Sequence, residues 1–104
     1  MNDRPLQIRF AELAALELHD ACDWYEHQQR GPGARFKRDV RESVRRIAPN
    51  PALFPVEIDE VRRYVMTRFP YALRYVVRGG EMWGVAVSHQ HRQPDYWAYR
   101  IESA

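Results

Sequence analysis

Two runs rich in β-branched and aromatic residues, Tyr71–Arg78 and Met82–His89, stand either side of Gly79-Gly80-Glu81, a spacing that admits little besides a β-hairpin. Arg78-Gly79-Gly80-Glu81 reads as a tight turn, because glycine accepts the positive φ that two-residue hairpin loops require. A third run, Val61–Phe69, precedes them and is set off by Phe69-Pro70. Within Tyr71–Arg78 the alternation puts Tyr71, Leu73, Tyr75 and Val77 on one face and Ala72, Arg74, Val76 and Arg78 on the other. The first set is expected to meet a core, the second solvent or a partner. Met82–His89 is apolar on both faces, as a central strand is.

The rest of the chain supplies what that sheet must pack against. Leu6–Phe10 alternates apolar and polar residues and reads as a short strand. From Ala11 to Gln29, Ala14, Ala15, Leu18, Ala21, Cys22 and Tyr25 recur at helical spacing, and Gly31 marks a stop. Pro32 suits a first helical position, and Phe36, Val40, Val44 and Ile47 fall on one face of a second helix ending at Pro49. Arg38, Arg41 and Arg45 line another face beside Asp39 and Glu42. So short a junction implies an antiparallel helical hairpin. Asn50–Pro55 reads as a Pro-rich loop with an acidic tail of Glu57, Asp59 and Glu60, and Asp95–Arg100 as a short aromatic segment, helical or irregular, that packs back on the sheet. The expected order is β-α-α-β-β-β. It describes one α+β domain over residues 1–104, a helical hairpin on a small, mainly antiparallel sheet.

Charge is divided unevenly. Residues 1–60 carry nine basic and eleven acidic side chains, residues 61–104 seven and three, so the second part is the one suited to an anionic partner. Arg62, Arg63, Arg68, Arg74 and Arg78 fall between Val61 and Gly80 with no carboxylate among them. Such a run is more one-sided than a solubility surface requires, although basic strand positions also serve to discourage edge pairing. The single cysteine, Cys22, forms no intrachain disulfide and sits in the apolar stripe of the first helix, a core residue rather than a nucleophile. With no long apolar run or leader-like start, the expectation is a soluble cytoplasmic protein without membrane contact.

Several stretches together resemble RelE/ParE-type toxins of bacterial type II toxin–antitoxin systems. They are Asp23-Trp24-Tyr25-Glu26, Gly31-Pro32-Gly33-Ala34-Arg35-Phe36, Asn50-Pro51 with Phe54-Pro55, Val61-Arg62-Arg63, Arg68-Phe69-Pro70-Tyr71, Val85–His89 and Arg92–Trp97. The resemblance runs from about Phe10 to Arg100, with Pro32 standing where many relatives carry Leu. It implies a growth inhibitor neutralised by a cognate antitoxin, an acidic protein encoded beside it. Its implied target is DNA gyrase in ParE-like members and mRNA in the ribosomal A site in RelE-like ones. The Lys-poor basic surface and the Val85–Trp97 ending favour the ParE-like mode; a binding module without toxicity is the third reading.

Metal-free RNA cleavage needs a base, a phosphate-stabilising cation and an acid. The residues that would serve are His89 and His91 for proton transfer and Arg62 and Arg63 for the phosphate. For target or antitoxin binding the expected set is Arg62, Arg63, Arg68, Arg74, Arg78, Arg92, Tyr96 and Trp97. His89 and His91 lack further ligands, so no metal site is expected, and no cofactor is implied. His19 and His27 belong to the polar side of the first helix, and Trp24 is expected to be half-buried against the sheet.

Overall fold

The computed structural model describes residues 7–92 together with Trp97 and Arg100. Strand β1 (Ile8–Phe10) leads into helices α1 (Glu12–Gln28) and α2 (Pro32–Ile47). After a single 3-10 turn at Pro51–Leu53 come β2 (Val56–Ile58), β3 (Val61–Val65), β4 (Tyr71–Arg78) and β5 (Glu81–His89). The sheet order is β1-β5-β4-β3-β2, with β1 parallel to β5 and every other pair antiparallel. The α+β architecture, the helical hairpin and the β4–β5 hairpin thus stand as the sequence indicated. Leu6 lies outside the described residues.

Gly79 and Gly80 take φ of +58° and +76°, closing the β4–β5 hairpin with Arg78 opposite Glu81. At the other junction, Glu26 of α1 caps α2. Its carboxylate accepts from the Gly31 N–H at 2.9 Å and the Gly33 N–H at 3.1 Å, the donors on either side of Pro32, which has none. Gly33 is also where the helices touch: a Cβ there would lie 2.6 Å from the Cys22 carbonyl oxygen.

Two features depart from the sequence reading. Val56–Ile58, taken as the tail of a loop, is a strand paired with β3. The hairpin joining them turns through Asp59 at φ 51°, a conformation Asp tolerates better than most side chains. β3 ends at Val65 rather than Phe69, because the chain bends there to bring the Met66 N–H to the Tyr71 carbonyl at 2.9 Å.

The larger correction concerns the faces of β4. Tyr71, Leu73 and Tyr75 do pack against the helices with Phe36, Val40 and Ile47. Val77, expected in the same core, is exposed, since the helix-side cover stops at Tyr75, whose hydroxyl donates to the Pro51 carbonyl at 2.6 Å. Ala72, Arg74 and Val76 are buried rather than solvent-facing. A bulge explains part of this: Arg74 pairs with Ala86 but Tyr75 with Gly84, leaving Val85 as the extra residue. Val85 and Ala86 then both join Val61, Val76 and Trp97 in a second apolar cluster. Trp97 is 0 % exposed there, as expected of an aromatic segment packing back.

Candidate interaction surface

The basic strand run does not form one patch. Consecutive residues of β3 point to opposite faces, so Arg62 reaches the Phe54 carbonyl on the helix side at 2.6 Å while Arg63 lies on the other. Arg63 donates to the Gln90 carbonyl at 2.8 Å, and its Nε sits 3.4 Å from Glu57. Beside it Arg74, only 1 % exposed, has its Nε 3.4 Å from each Glu57 oxygen and Nη1 2.8 Å from Ser88 Oγ. The Arg74 guanidinium also lies over the Trp97 ring, 5.7 Å from its centroid. A cation so enclosed presents nothing to a partner; Arg74 and Trp97 are structural rather than surface residues. Arg78 pairs with Glu60. The acidic "tail" of the sequence reading therefore pairs with the basic run: Glu57 is shared between Arg63 and Arg74 and Glu60 meets Arg78, two carboxylates against three guanidinium groups.

His89 and His91 are exposed at the end of β5, their rings 5.5 Å apart, with the His91 N–H donating to His89 Nδ1 at 3.2 Å. Arg63 touches this end of the sheet through Gln90, whereas Arg62 is held on the other face. The four groups considered for RNA cleavage are thus not assembled around one point. Arg92 is exposed; Tyr96 lies outside the described residues. Among the described residues no three His, Cys, Asp or Glu side chains group so as to hold a metal ion. Cys22 is partly buried at the edge of the core, and burial pushes its thiol above the ordinary value, which suits an inert residue. Trp24 is not half-buried but 57 % exposed on α1, edge-on to Tyr25.

Among the described residues, a cluster of cations without counter-charges lies elsewhere, along α2 and the turn after β3. That helix carries six basic residues (Arg35, Lys37, Arg38, Arg41, Arg45 and Arg46) against Asp39 and Glu42. Asp39 is turned inward and accepts the Arg68 backbone N–H at 3.2 Å, and Glu42 pairs with Arg45. Arg35, Arg38, Arg46 and Arg68 have no ion-pair partner among the described residues, and all four line one cleft of about 380 Å³ between α2 and the β3–β4 turn. Of these only Arg68 was anticipated. A charge count confined to residues 32–47 would have signalled the rest; the whole N-terminal part is acidic because α1 holds Glu12, Glu17, Asp20, Asp23 and Glu26 without a Lys or Arg.

A sheet of this order, crossed by a helical hairpin that presents a basic helix, defines a small α+β domain. The model of the family described as ParE toxin of type II toxin-antitoxin system, parDE, matches residues 8–94, and the chain belongs to that family. Among solved structures, a chain of the chromosomal ParDE TA system from P. aeruginosa shares the fold, with a TM-score of 0.71 and 19 % identity over 81 % of this chain and 95 % of that one. No curated protein sequence matched. Among the described residues no helix is long and apolar enough to cross a membrane.

Proposed function

We propose that this member of the ParE toxin family arrests growth by binding DNA gyrase in the cytoplasm, with no chemistry of its own, and is neutralised by an acidic antitoxin encoded next to it. The observation that carries this reading is the dispersal of the nucleolytic candidates. Arg62 and Arg63 occupy opposite faces and hold backbone carbonyls, so Arg62 is turned away from the solvent-exposed end of β5 where His89 and His91 lie, and the Arg63 guanidinium there is engaged with the Gln90 carbonyl and Glu57. General acid–base cleavage of RNA needs those groups converged on one phosphate.

The test is induction without the neighbouring gene, with RNA 5′ ends and gyrase-linked DNA breaks mapped within minutes. Growth arrest with intact mRNA and new gyrase-linked breaks is expected, together with relief on coexpression of the neighbouring gene. New RNA ends clustered inside translated codons, lost on His89→Ala with folding preserved, would instead make the protein a ribosome-dependent endonuclease. Normal growth would leave a non-toxic antitoxin-binding module.

A further inference from the structure

We infer that the cleft between α2 and the β3–β4 turn is the seat for an acidic, extended segment of the antitoxin, whose carboxylates are taken by Arg35, Arg38, Arg46 and Arg68. This rests on the reading of the chain as an antitoxin-bound toxin. It moves the binding surface from the strand arginines, most of which are paired with carboxylates, to α2, where Arg35, Arg38 and Arg46 were not among the expected binding residues.

Three observations converge on the cleft. Its four guanidinium groups have no carboxylate partner among the described residues, whereas Arg63, Arg74 and Arg78 on the strands do. Unpaired arginines crowded together repel one another, and a planar fork is shaped to take a carboxylate with two hydrogen bonds. The two acids in the lining are engaged elsewhere, Asp39 with the Arg68 N–H and Glu42 with Arg45, so neither is ion-paired to the four guanidinium groups. Arg46 Nη1 lies 3.5 Å from Thr67 Oγ1, and that hydroxyl retains its proton for donation to an incoming carboxylate.

The geometry also selects the kind of anion. Arg35 and Arg46 are eleven residues apart on α2, about 16 Å along the axis at helical rise. An extended peptide covers that span in about five residues. A nucleic acid strand fits less well. Among the described residues the one aromatic ring in the lining, Tyr64, is buried, so none of them offers a ring face for base stacking. Asp39 and Glu42 would also oppose a chain with a charge at every step, whereas a peptide can place carboxylates only where arginines meet them.

The experiment is a titration of the full-length protein at low ionic strength, where surface charges are least screened. The probe is a short acetylated peptide alternating glutamate and serine, with oligothymidylate of matching charge as the competitor. Binding of the peptide is expected to weaken about tenfold in R38A/R46A, roughly 1.4 kcal/mol. It should hold within about twofold in K37A/R41A, which removes the same charge from the same helix but from side chains lining a different groove. All four positions are exposed, and an unchanged circular dichroism melt would establish folding in both variants. Equal weakening in the two variants, absence of peptide binding, or oligothymidylate binding as tightly with the same arginine dependence would each overturn the inference. Relief of growth arrest by the neighbouring gene, measured on the unaltered protein, decides the proposed function separately, so either can fail without the other.

Discussion

Replacing Glu57 by Gln keeps the side chain's size and removes one charge, and the structure makes that charge answerable to two guanidinium groups. Glu57 lies 3.4 Å from Arg74 Nε and 3.4 Å from Arg63 Nε. At an effective dielectric of about 20, each such contact attracts by about 5 kcal/mol. In the intact protein the desolvation of Arg74 cancels most of its share. The variant loses the attraction and retains the desolvation, because Arg74 stays 1 % exposed and charged. Removing one partner of a buried pair costs about 3–5 kcal/mol; Arg63, a third exposed, adds little once screening is counted. A domain of this size has about 5–15 kcal/mol in all, so Glu57→Gln should lower the melting temperature by roughly 12–25 °C. Urea unfolding followed by tryptophan fluorescence and by circular dichroism measures this. Glu57→Gln combined with Arg74→Met, which removes both charges and leaves an apolar chain under Trp97, should recover more than half of the loss. A single variant within about 1 kcal/mol of the parent, or a double variant no better than the single, would refute the account of Arg74 as a buried, Glu57-dependent cation.

Three further outcomes follow from other parts of the fold. Burial pushes the Tyr75 hydroxyl up to about 12 from its ordinary 10, against a smaller lowering by Arg62. The folded state therefore holds a proton that the unfolded chain has released, so stability is full below pH ~10 and falls by up to about 1.4 kcal/mol per pH unit as pH rises towards ~12; Tyr75→Phe should flatten that decline in alkaline urea titrations. Gly33→Ala drives a methyl to 2.6 Å from the Cys22 carbonyl and 2.8 Å from Glu26 Oε1, and forcing the helices apart should cost about 3 kcal/mol by chemical denaturation. Trp97→Ala empties the cluster lined by Val61, Val76, Val85 and Ala86 and should cost about 3–5 kcal/mol, read as a lower urea midpoint.

The parts of the fold that could be read in advance are those whose cause is local. The β4–β5 hairpin announces itself through Gly79-Gly80, and both helices through apolar residues three and four apart, because side-chain period and turn chemistry act over a few residues. β2 was missed for the converse reason. Three residues with a Glu at the centre carry no period, and they form a strand only because β3 offers an edge to pair with. β5 has a comparable debt to distant groups. Beyond Gly84 its edge is met not by a strand but by Glu17, which accepts the Val87 N–H at 3.0 Å, and by Arg100, which donates to Glu17 at 2.9 Å and to the Val85 carbonyl at 3.1 Å. Nothing in residues 17 or 100 taken singly indicates that role.

The interaction surface divides along the same line. From the amino-acid sequence alone come the element types, the helical hairpin, the family resemblance and the fact of an arginine excess, since each depends on residue identity and near spacing. Which arginines are free to meet a partner depends on which carboxylates lie within a few ångströms, and that is a property of distant segments brought together. Glu57 and Glu60 lie upstream of the strand run, yet folding sets them against Arg63, Arg74 and Arg78. Folding turns Asp39 inward to Arg68 and leaves Arg35, Arg38 and Arg46 of the same helix without a counter-ion among the described residues. Charge is fixed by composition, but its availability is decided by tertiary pairing, because Coulomb attraction falls with distance and takes no account of sequence order.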